Sequence, residues 1–590
     1  MGGIVSFFAQ DALKRILLSV LIGLVSGLGA MAFFVALEWA RWFCLGHLAG
    51  AAPPPPAGER LVELVATTPY RWWVLMLIPA VGGLLSGIIV YSLAPEAEGH
   101  GTDAMIDAFH NLKGIIRTRV PYVKSIASVI TLATGGSAGR EGPIAQIGAG
   151  FGSWVARMLK LSTRERRIFL LAGCAGGLGA IFRAPLGAAI TSVEVLYRED
   201  FETEAIIPCV ISSVIAYSLF SFFFGIQPIF ATPDFVFTDP RELIAYAVLG
   251  LVCAPVGAVY VRIFYRTRDF FRTLPIRPHI KPMIGGLGVG LIALVVPEAI
   301  GSGYGYLQLA IYGKMTLAAM CLAAAAKIAT TSLTIGSGGS GGVFGPTLFI
   351  GGMLGGVVGW VGHHFFPHIV TEPGAYVLVG MAAFFAGVAK APMGALLMVS
   401  EMTSSYGLLP PLMLVSVIAI LFNRGLSIYE KQVRNKFQSP AHHGDVTVNV
   451  LSELRVRDVF NPNQDFILLN HRTSFAELQK IIASTDQTLF PVVDDDQRLV
   501  GVLSLKNIRT VLFEDALRDL VVVRDLATAP VGLTLDQDLY SALLAFLDSG
   551  YSQLPVVDYR EGRQRVLGLV DHQDVIAAYH QEVSRRMEAE

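Results

Sequence analysis

The first 430 residues alternate between long apolar runs and short polar breaks, a pattern that predicts membrane-spanning helices. Residues 16–36 form a run of 21 residues without a charge, which is long enough to cross a bilayer. Because many similar runs follow, this first run is predicted to be a membrane span and not a signal peptide. The further long runs are residues 72–93, 205–224, 243–260, 315–333 and 408–421.

Other apolar stretches, such as residues 142–156 and 168–180, are short or interrupted by glycine and proline. A helix that stops inside a membrane is tolerated only where it lines a cavity or is buried in protein. These broken helices therefore point to a site within the membrane. Residues 53–56 are four consecutive prolines, which predict a solvent-exposed loop.

The pattern changes after residue 430. Two short apolar strands separated by a polar turn occur there twice, and a stretch with helical periodicity precedes each pair. This order predicts two small α/β modules side by side. The strands are predicted at residues 489–494, 499–504, 554–558 and 566–571, and the helices at residues 474–483 and 539–547.

Composition sharpens this division. The first 430 residues hold 51 of the 91 charged residues and 55 of the 61 glycines, whereas the last 160 residues hold 40 charges and 6 glycines. The net charge of −1 excludes a basic footprint for nucleic acid, and the five cysteines lack metal-ligand or redox spacing. The predicted domains are a transmembrane region (1–435), a linker (436–452), two α/β modules (453–520 and 521–582) and a tail (583–590).

The apolar block contains an internal repeat with offsets of 202 to 207 residues. The two halves are predicted at about residues 11–225 and 240–430. Duplicated halves with broken helices are typical of transporters whose site lies between the halves, in either parallel or inverted orientation. The matches pair residues 95–102 with 297–304, Lys124 with Lys327, residues 135–143 with 338–346, residues 184–188 with 391–395, and Glu194 with Glu401.

The Gly-rich clusters at 135–143 and 338–346 each open a predicted helix. Free backbone N–H groups and the positive end of a helix suit a dehydrated anion, whereas the alternative is close helix packing through small residues. Glu141 is an acid among these donors, and Phe344 holds the equivalent place in the second half. The Glu141 carboxylate can occupy the anion site and leave when it is protonated; the alternative is a salt bridge with Arg140.

Residues 139–143, Gly-Arg-Glu-Gly-Pro, resemble the signature of the CLC chloride channels and chloride/proton antiporters. Residues 342–346, Gly-Val-Phe-Gly-Pro, resemble the second signature of that family, and the resemblance covers about residues 10–435. It implies an α-helical polytopic membrane protein of two inverted repeats, which forms a homodimer with one anion pathway in each subunit.

The resemblance also implies the roles of individual residues. Glu141 matches the gating glutamate, which also carries protons. Tyr429 matches the central tyrosine whose hydroxyl donates to the inner anion, although a tyrosine near a helix end is otherwise more often an interfacial residue. The implied anion-binding residues are His100, Gly101, Arg140, Gly142, Val343, Phe344 and Tyr429.

Two positions depart from the family pattern. His100 replaces a serine; a neutral imidazole can donate one hydrogen bond to the anion, and a charged one would make transport pH-dependent. Alternatively His100 packs away and backbone N–H groups suffice. Val195 replaces the internal proton-transfer glutamate of the antiporters, and valine cannot carry a proton. The sequence thus favours a chloride channel or a weakly coupled exchanger, with an antiporter that uses a rerouted proton path as the alternative.

Residues 453–582 resemble a pair of CBS domains, many of which bind adenine nucleotides. The ribose-contacting pattern is incomplete in both modules, with Ser504 and Asn507 in the first and Asp571 and Asp574 in the second. The Asp571 carboxylate would repel a phosphate. The alternatives are a nucleotide sensor that regulates transport and a dimerising structural module.

Other function classes fit the sequence less well. An enzyme needs a nucleophile–base pair or a His-Glu-x-x-His site in the apolar block, and the sequence shows neither. A cation transporter calls for clustered acids, whereas Glu141 is a single acid among N–H donors. We therefore expect a transporter of chloride, related anions and, in the antiporter alternative, protons, without an enzymatic activity, a metal or a required cofactor. It is expected in the lipid bilayer of a prokaryotic inner membrane, with the CBS tail in the cytoplasm.

Overall fold

The computed structural model describes residues 2–59, 66–442, 450–509, 521–560 and 563–588. The chain forms two compact units, Met1–Ala441 and His442–Glu590. Parts of the predicted linker (443–449), of the first CBS module (510–520) and of the tail (589–590) lie outside the described residues.

The described residues of the first unit form sixteen α-helices, and a π-helical segment, Trp42–Ala49, extends the first of them. The helices are α1 (Gly2–Arg41), α2 (Trp72–Leu93), α3 (Thr102–His110), α4 (Arg119–Ala133), α5 (Glu141–Met158), α6 (Thr163–Phe182), α7 (Pro185–Glu194), α8 (Ile206–Phe224), α9 (Glu242–Thr273), α10 (Lys281–Ala293), α11 (Tyr304–Ile311), α12 (Leu317–Gly336), α13 (Phe344–Phe365), α14 (Pro373–Ala389), α15 (Pro392–Thr403) and α16 (Leu409–Leu421).

Within the described chain, six helical segments are long and apolar enough to cross a membrane, so the unit is an integral membrane protein. Five of the predicted runs lie in these segments, whereas the run at 408–421 forms α16, which has only 13 residues. The run at 168–180 is continuous rather than interrupted: α6 has 20 residues, and its glycines allow close packing, as where Gly173 meets the backbone of Gly148. The segments are Ala12–Ala49, Trp72–Leu93, Thr203–Phe224, Glu242–Thr273, Leu317–Gly336 and Phe344–Phe365.

The sequence repeat is also a structural repeat, in which α2–α8 correspond to α10–α16. The equivalent helices α2 and α10 pack against each other in opposite directions. A methyl group on Gly83 would collide with the carbonyl of Pro282, and one on Gly290 would collide with the carbonyl of Met76. Early residues of one helix therefore meet late residues of the other, which is the inverted arrangement that the resemblance implies.

The two halves exchange equivalent contacts at their centre. Gly139 and Gly342 donate backbone hydrogen bonds to each other over 2.7 and 2.6 Å in an antiparallel bridge. The Glu194 carboxylate accepts the N–H of Gly394 at the start of α15, and the Glu401 carboxylate accepts the N–H of Gly187 at the start of α7, each over 2.7 Å. These reciprocal bonds relate the halves by an approximate two-fold axis and give Glu194 a helix-capping role.

The repeated lysines hold the loops before α3 and α11. Lys124 is buried, and its ammonium group donates to the carbonyls of Ala97 over 3.0 Å and Gly99 over 2.7 Å. Lys327 does the same in the second half, where it donates to Gly301 over 2.6 Å. Because an unbonded buried ammonium is costly, these bonds fix the backbone that leads into the central site.

The second unit contains the two predicted α/β modules. Strands β2 and β3 are antiparallel, with Phe490 opposite Leu503, and β4 and β5 are antiparallel, with Pro555 opposite Leu569. This confirms the predicted strand pairs. The elements are α17 (Val456–Val459), β1 (Leu469–Asn470), α18 (Phe475–Ala483), β2 (Leu489–Val493), β3 (Leu499–Ser504), α19 (Leu505–Ile508), α20 (Val523–Leu526), α21 (Leu539–Ser549), β4 (Gln553–Arg560), β5 (Arg563–Asp571) and α22 (His572–Glu588).

The modules exchange the short helices that precede them. Val456 of α17 lies in the core of the second module, and its N–H donates to Gln537 over 2.9 Å. Val523 of α20 lies in the core of the first module, and its N–H donates to Thr473 over 2.9 Å. A division at 520/521 therefore separates the modules along the chain but not in space.

Candidate anion-binding site

Two helices begin at the contact between the halves. The first intrahelical bond of α5 runs from Ile144 N–H to the Arg140 carbonyl, and that of α13 runs from Thr347 N–H to the Val343 carbonyl. The N–H groups of the residues between have no partner within their helices, because a helix leaves its first donors unsatisfied. The positive ends of α5 and α13 therefore converge on one region, which suits an anion.

The Glu141 side chain lies between these helix ends. It is fully buried, and its Oε1 accepts a hydrogen bond from the Tyr304 hydroxyl. Its Oε2 has no hydrogen-bond partner among the described residues. A methyl group on Gly139 would collide with Oε2, and one on Gly345 would lie 3.1 Å from it. The carboxylate thus lies between the Gly-rich clusters of both halves, the position that the sequence predicts for an anion.

Arg140 turns its side chain away from Glu141 and binds Glu59 with two hydrogen bonds, one of which is 2.9 Å long. Both side chains are buried, whereas the closest approach of Arg140 to the Glu141 carboxylate is 3.9 Å. The guanidinium also lies 5.6 Å from the ring centres of Phe34 and Tyr304. Glu59 is therefore the main ionic partner of Arg140.

The proline-rich loop covers this ion pair. Pro56 and Glu59 are buried, and a methyl group on Gly305 would collide with the carbonyl of Pro54. The expectation of a solvent-exposed loop at 53–56 is confirmed for Pro55, whereas Pro53 and Pro54 are half-buried and Pro56 is buried. The four prolines indicate an extended loop, but the contact with α11 is a tertiary feature that composition does not reveal.

Tyr304 is a site residue that sequence reasoning missed. It is the first residue of α11 and is fully buried, with its ring facing Phe230 at a centroid distance of 5.4 Å. A signal was present, because Tyr304 is the last residue of the repeat segment at 297–304 and is equivalent to Thr102, the last residue of the segment at 95–102. Phe344, the counterpart of Glu141, packs on Phe385 at 4.1 Å and forms an apolar wall.

His100, Gly101 and Gly142 are brought together where the loop before α3 meets α5. A methyl group on Gly142 would collide with the His100 carbonyl, and one on Gly101, whose φ is +80°, would lie 2.7 Å from the Gly142 carbonyl. Only glycine allows this approach. Tyr429 is buried, and its ring centre lies 5.4 Å from that of His100.

Val195 ends α7 in an apolar environment. It is 2% exposed and belongs to the main hydrophobic core. Its carbonyl accepts a hydrogen bond from the Gln432 side chain over 2.8 Å, and its N–H donates to Thr191 over 3.0 Å. Glu194 next to it caps α15. Val195 is thus a packing residue of the hydrophobic core.

The four candidate nucleotide residues lie at equivalent strand-to-helix junctions of the CBS modules. Asn507 N–H donates to the Ser504 hydroxyl over 3.4 Å, and Asp571 N–H donates to the Asp574 carboxylate over 3.2 Å. The Asp571 carboxylate accepts the N–H of Gln573 over 2.9 Å. These side chains cap helices, and those of the second module are acidic.

Comparison with known proteins identifies both units. Residues 82–424 match the voltage-gated chloride channel family, and residues 456–514 and 523–581 each match the CBS domain. A ClcB-like chloride channel protein of Ralstonia nicotianae is 31% identical over 67% of this chain and 90% of its own length. The H(+)/Cl(-) exchange transporter ClcA of Yersinia pestis is 30% identical over 69% of this chain and 84% of its own length.

A solved structure shares the fold. The crystal structure of a slow cyanobacterial Cl-/H+ antiporter aligns with a TM-score of 0.62 at 23% identity, over 70% of this chain and 96% of that one. The inverted halves, the two Gly-rich signatures and the sequence matches agree. The chain therefore belongs to the voltage-gated chloride channel family, a family of chloride-transporting membrane proteins, and carries a pair of CBS domains after its membrane-spanning unit.

Proposed function

We propose that the protein conducts chloride across a membrane through the site between α5 and α13, with Glu141 as the gate. The observation that carries this proposal is the position of the Glu141 carboxylate, which lies buried between Gly139 and Gly345 where two helix N-termini converge. Partial positive charge at these ends favours an anion, and the ionised carboxylate competes for the same place.

The gate works through the charge of Glu141. The ionised carboxylate is held by the Tyr304 hydroxyl and excludes chloride from the helix ends. Protonation removes its charge, so the backbone donors bind chloride instead and the side chain leaves. Conduction needs this binding to remain weak enough for the anion to move on.

The relatives include a protein named as a chloride channel and one named as an exchanger. Val195 supports channel-like or weakly coupled transport, because a valine in an apolar core cannot transfer a proton. An exchanger with a rerouted proton path is the second candidate, and the His100–Asp103 pair favours it, since the two side chains lie 3.1 Å apart. Paired recording of chloride and proton fluxes from liposomes tests the proposal. The protein acts in this account as a transporter, without enzymatic chemistry.

Replacement of Tyr304 by phenylalanine tests whether the Tyr304 hydroxyl keeps the Glu141 carboxylate in the anion site. The variant loses one hydrogen bond to an ionised group, worth about 1.5–3 kcal/mol. Glu141 is then released more readily, so the pH at which chloride flux is half-maximal is expected to rise by about one to two units. Liposome flux measured across pH checks this. Tyr306→Phe, two residues along α11, is the matched control, and an equal shift in both variants would contradict a specific role for Tyr304.

The CBS pair is proposed to bind at most one adenine nucleotide per chain. The first module offers the Ser504 hydroxyl, whereas the carboxylates of Asp571 and Asp574 repel phosphate in the second. Calorimetry of residues 442–590 with ATP, ADP and AMP is expected to show this stoichiometry. Two nucleotides per chain would contradict the argument, and absence of heat at millimolar nucleotide would favour the structural-module alternative.

The assembly and location are part of the same proposal. The family resemblance supports a homodimer in a prokaryotic inner membrane, with the CBS pair in the cytoplasm. Leu186 and Met393, at equivalent positions in α7 and α15, are 44% and 54% exposed in the single chain, which is consistent with an apolar face covered by lipid or by a second subunit.

A further inference from the structure

His100 has a carboxylate beside one ring nitrogen and no hydrogen-bond partner at the other. Its Nε2 lies 3.1 Å from a carboxylate oxygen of Asp103, which is in the first turn of α3. Its Nδ1 is buried and has no hydrogen-bond partner among the described residues. The whole residue is 6% exposed and packs against Tyr429 and Phe264, so that water does not reach most of the ring.

This geometry restricts what a neutral His100 can do. A carboxylate only accepts hydrogen bonds, so the nitrogen that faces Asp103 carries the proton. A neutral imidazole has one N–H, and Nδ1 is then left with a lone pair, which repels an anion. A second proton on Nδ1 turns the ring into an imidazolium that donates outward while Asp103 stabilises its charge. His100 therefore becomes an anion donor only when it is protonated.

Asp103 connects this buried ring to water. It lines a cavity of about 280 Å³, together with Asp107, Gln146 and Lys431. Polar groups line part of this cavity beside apolar side chains, the Gln146 Oε1 is another buried atom without a described partner, and the volume has room for several waters. A proton on Asp103 can thus exchange with water, whereas the His100 Nδ1 cannot do so directly.

The other charged groups near the pair have partners of their own. Lys124 donates to the Gly99 carbonyl over 2.7 Å. Lys431 lies 3.5 Å from Asp107, and Glu430 lies 2.6 Å from Arg268. The titratable and charged groups around the pair are Asp107 on α3, Lys124 on α4, Glu141 on α5, Tyr265 and Arg268 on α9, and Tyr429, Glu430 and Lys431 after α16. Asp103 is the carboxylate in contact with His100.

We propose that His100 takes up a proton together with the anion, and that the His100–Asp103 pair forms an inner proton-transfer station. This station supplies what Val195 cannot, and it gives the second candidate of the proposed function its rerouted proton path. The proposal rests on the proposed chloride transport, because the co-bound anion is the chloride of that pathway.

A proton that arrives on Nδ1 converts the imidazole to an imidazolium, whose positive charge matches the incoming anion. The imidazolium then releases its Nε2 proton to the Asp103 carboxylate and becomes a neutral imidazole again, in the other tautomer. The carboxylic acid passes the proton to water in the cavity, and the reverse order carries a proton inward. A rotation of the ring then turns the protonated Nδ1 towards Asp103, so that the unprotonated Nε2 can take up the next proton and Nδ1 can release one.

Chloride binding in a Glu141→Gln background isolates His100, because the gate no longer titrates. Calorimetry on the full-length protein is expected to show binding about tenfold tighter near pH 5 than near pH 8. His100→Ser in the same background is expected to bind chloride with equal affinity at both pH values. His364→Gln, which changes an exposed histidine stacked on Trp360, is the control and should keep the pH dependence.

Proton flux through single variants of the otherwise wild-type protein tests the His100–Asp103 proposal independently. His100→Ser and Asp103→Asn are each expected to lose chloride-driven proton movement, whereas His364→Gln is expected to keep it. The inference is overturned if chloride binding by Glu141→Gln does not depend on pH, or if both single variants keep wild-type proton movement. If Glu141→Gln binds no chloride at either pH and the wild type transports none, the proposed function itself fails.

Discussion

Replacement of Glu141 by glutamine is expected to leave chloride flux in place, to flatten its dependence on pH and to abolish coupled proton movement. Glutamine resembles a permanently protonated glutamate, so it cannot present a charge to the helix ends of α5 and α13 or release a proton. The size of the effect is large because the carboxylate is fully buried between the two halves. Chloride and proton fluxes from liposomes, recorded across the pH range, measure it.

A matched control separates the gate from a general loss of charge. Glu298 is a glutamate in the second half of the repeat, in the turn Pro297–Ala299, and Glu298→Gln is expected to keep the wild-type pH profile. If Glu141→Gln retains the same pH profile as the wild type, Glu141 has no part in gating.

Replacement of Glu59 by alanine is expected to lower the free energy of unfolding by about 3–5 kcal/mol, because it leaves the buried Arg140 guanidinium without its partner. The Arg140 and Glu59 side chains are only 5% and 7% exposed. The double variant Glu59→Ala/Arg140→Met also removes the guanidinium charge, which the single variant leaves buried without its partner. It is expected to recover most of the lost stability. Thermal unfolding in detergent of the wild type, Glu59→Ala and the double variant measures their relative stabilities.

An exposed ion pair provides the control for this comparison. Glu204 pairs with Arg164, whose side chain is 67% exposed, so Glu204→Ala is expected to cost at most about 1 kcal/mol. A loss in Glu59→Ala no larger than that of Glu204→Ala would contradict the view that the proline-rich loop is fastened through Arg140.

Much of the membrane fold follows from hydrophobic patterning. Runs of about 20 apolar residues predict spans because the bilayer sets their length. The shared order of Gly-rich and proline motifs predicts the two halves. The pattern was less informative for α6, whose glycines break the apolar run in the sequence but serve close helix packing at Gly148.

The candidate site could be predicted only in part. Glu141 was identifiable because it is a lone acid in a Gly-rich cluster, and inversion followed from the resemblance alone. The repeat marked Tyr304, but the partners of Tyr304 and Glu59 could not be predicted, because their bonds join residues 163 and 81 positions apart along the chain. The role of His100 depends on which ring nitrogen faces Asp103, and only three-dimensional structure provides that information.

The CBS pair shows a similar limit. The strand pairs could be predicted from short apolar stretches and the polar turns between them, because each pair lies within one short stretch of chain. The exchange of α17 and α20 between the modules could not be predicted, because Val456 and Val523 are ordinary apolar residues that suit either core.

The most direct test of Glu141-gated chloride transport is simultaneous recording of chloride and pH outside liposomes that contain the wild-type protein and an outward chloride gradient. We expect chloride efflux that rises as the pH falls, accompanied by a smaller uptake of protons that is driven by the chloride gradient. Efflux no greater than from empty liposomes, or efflux that does not change with pH, would contradict it.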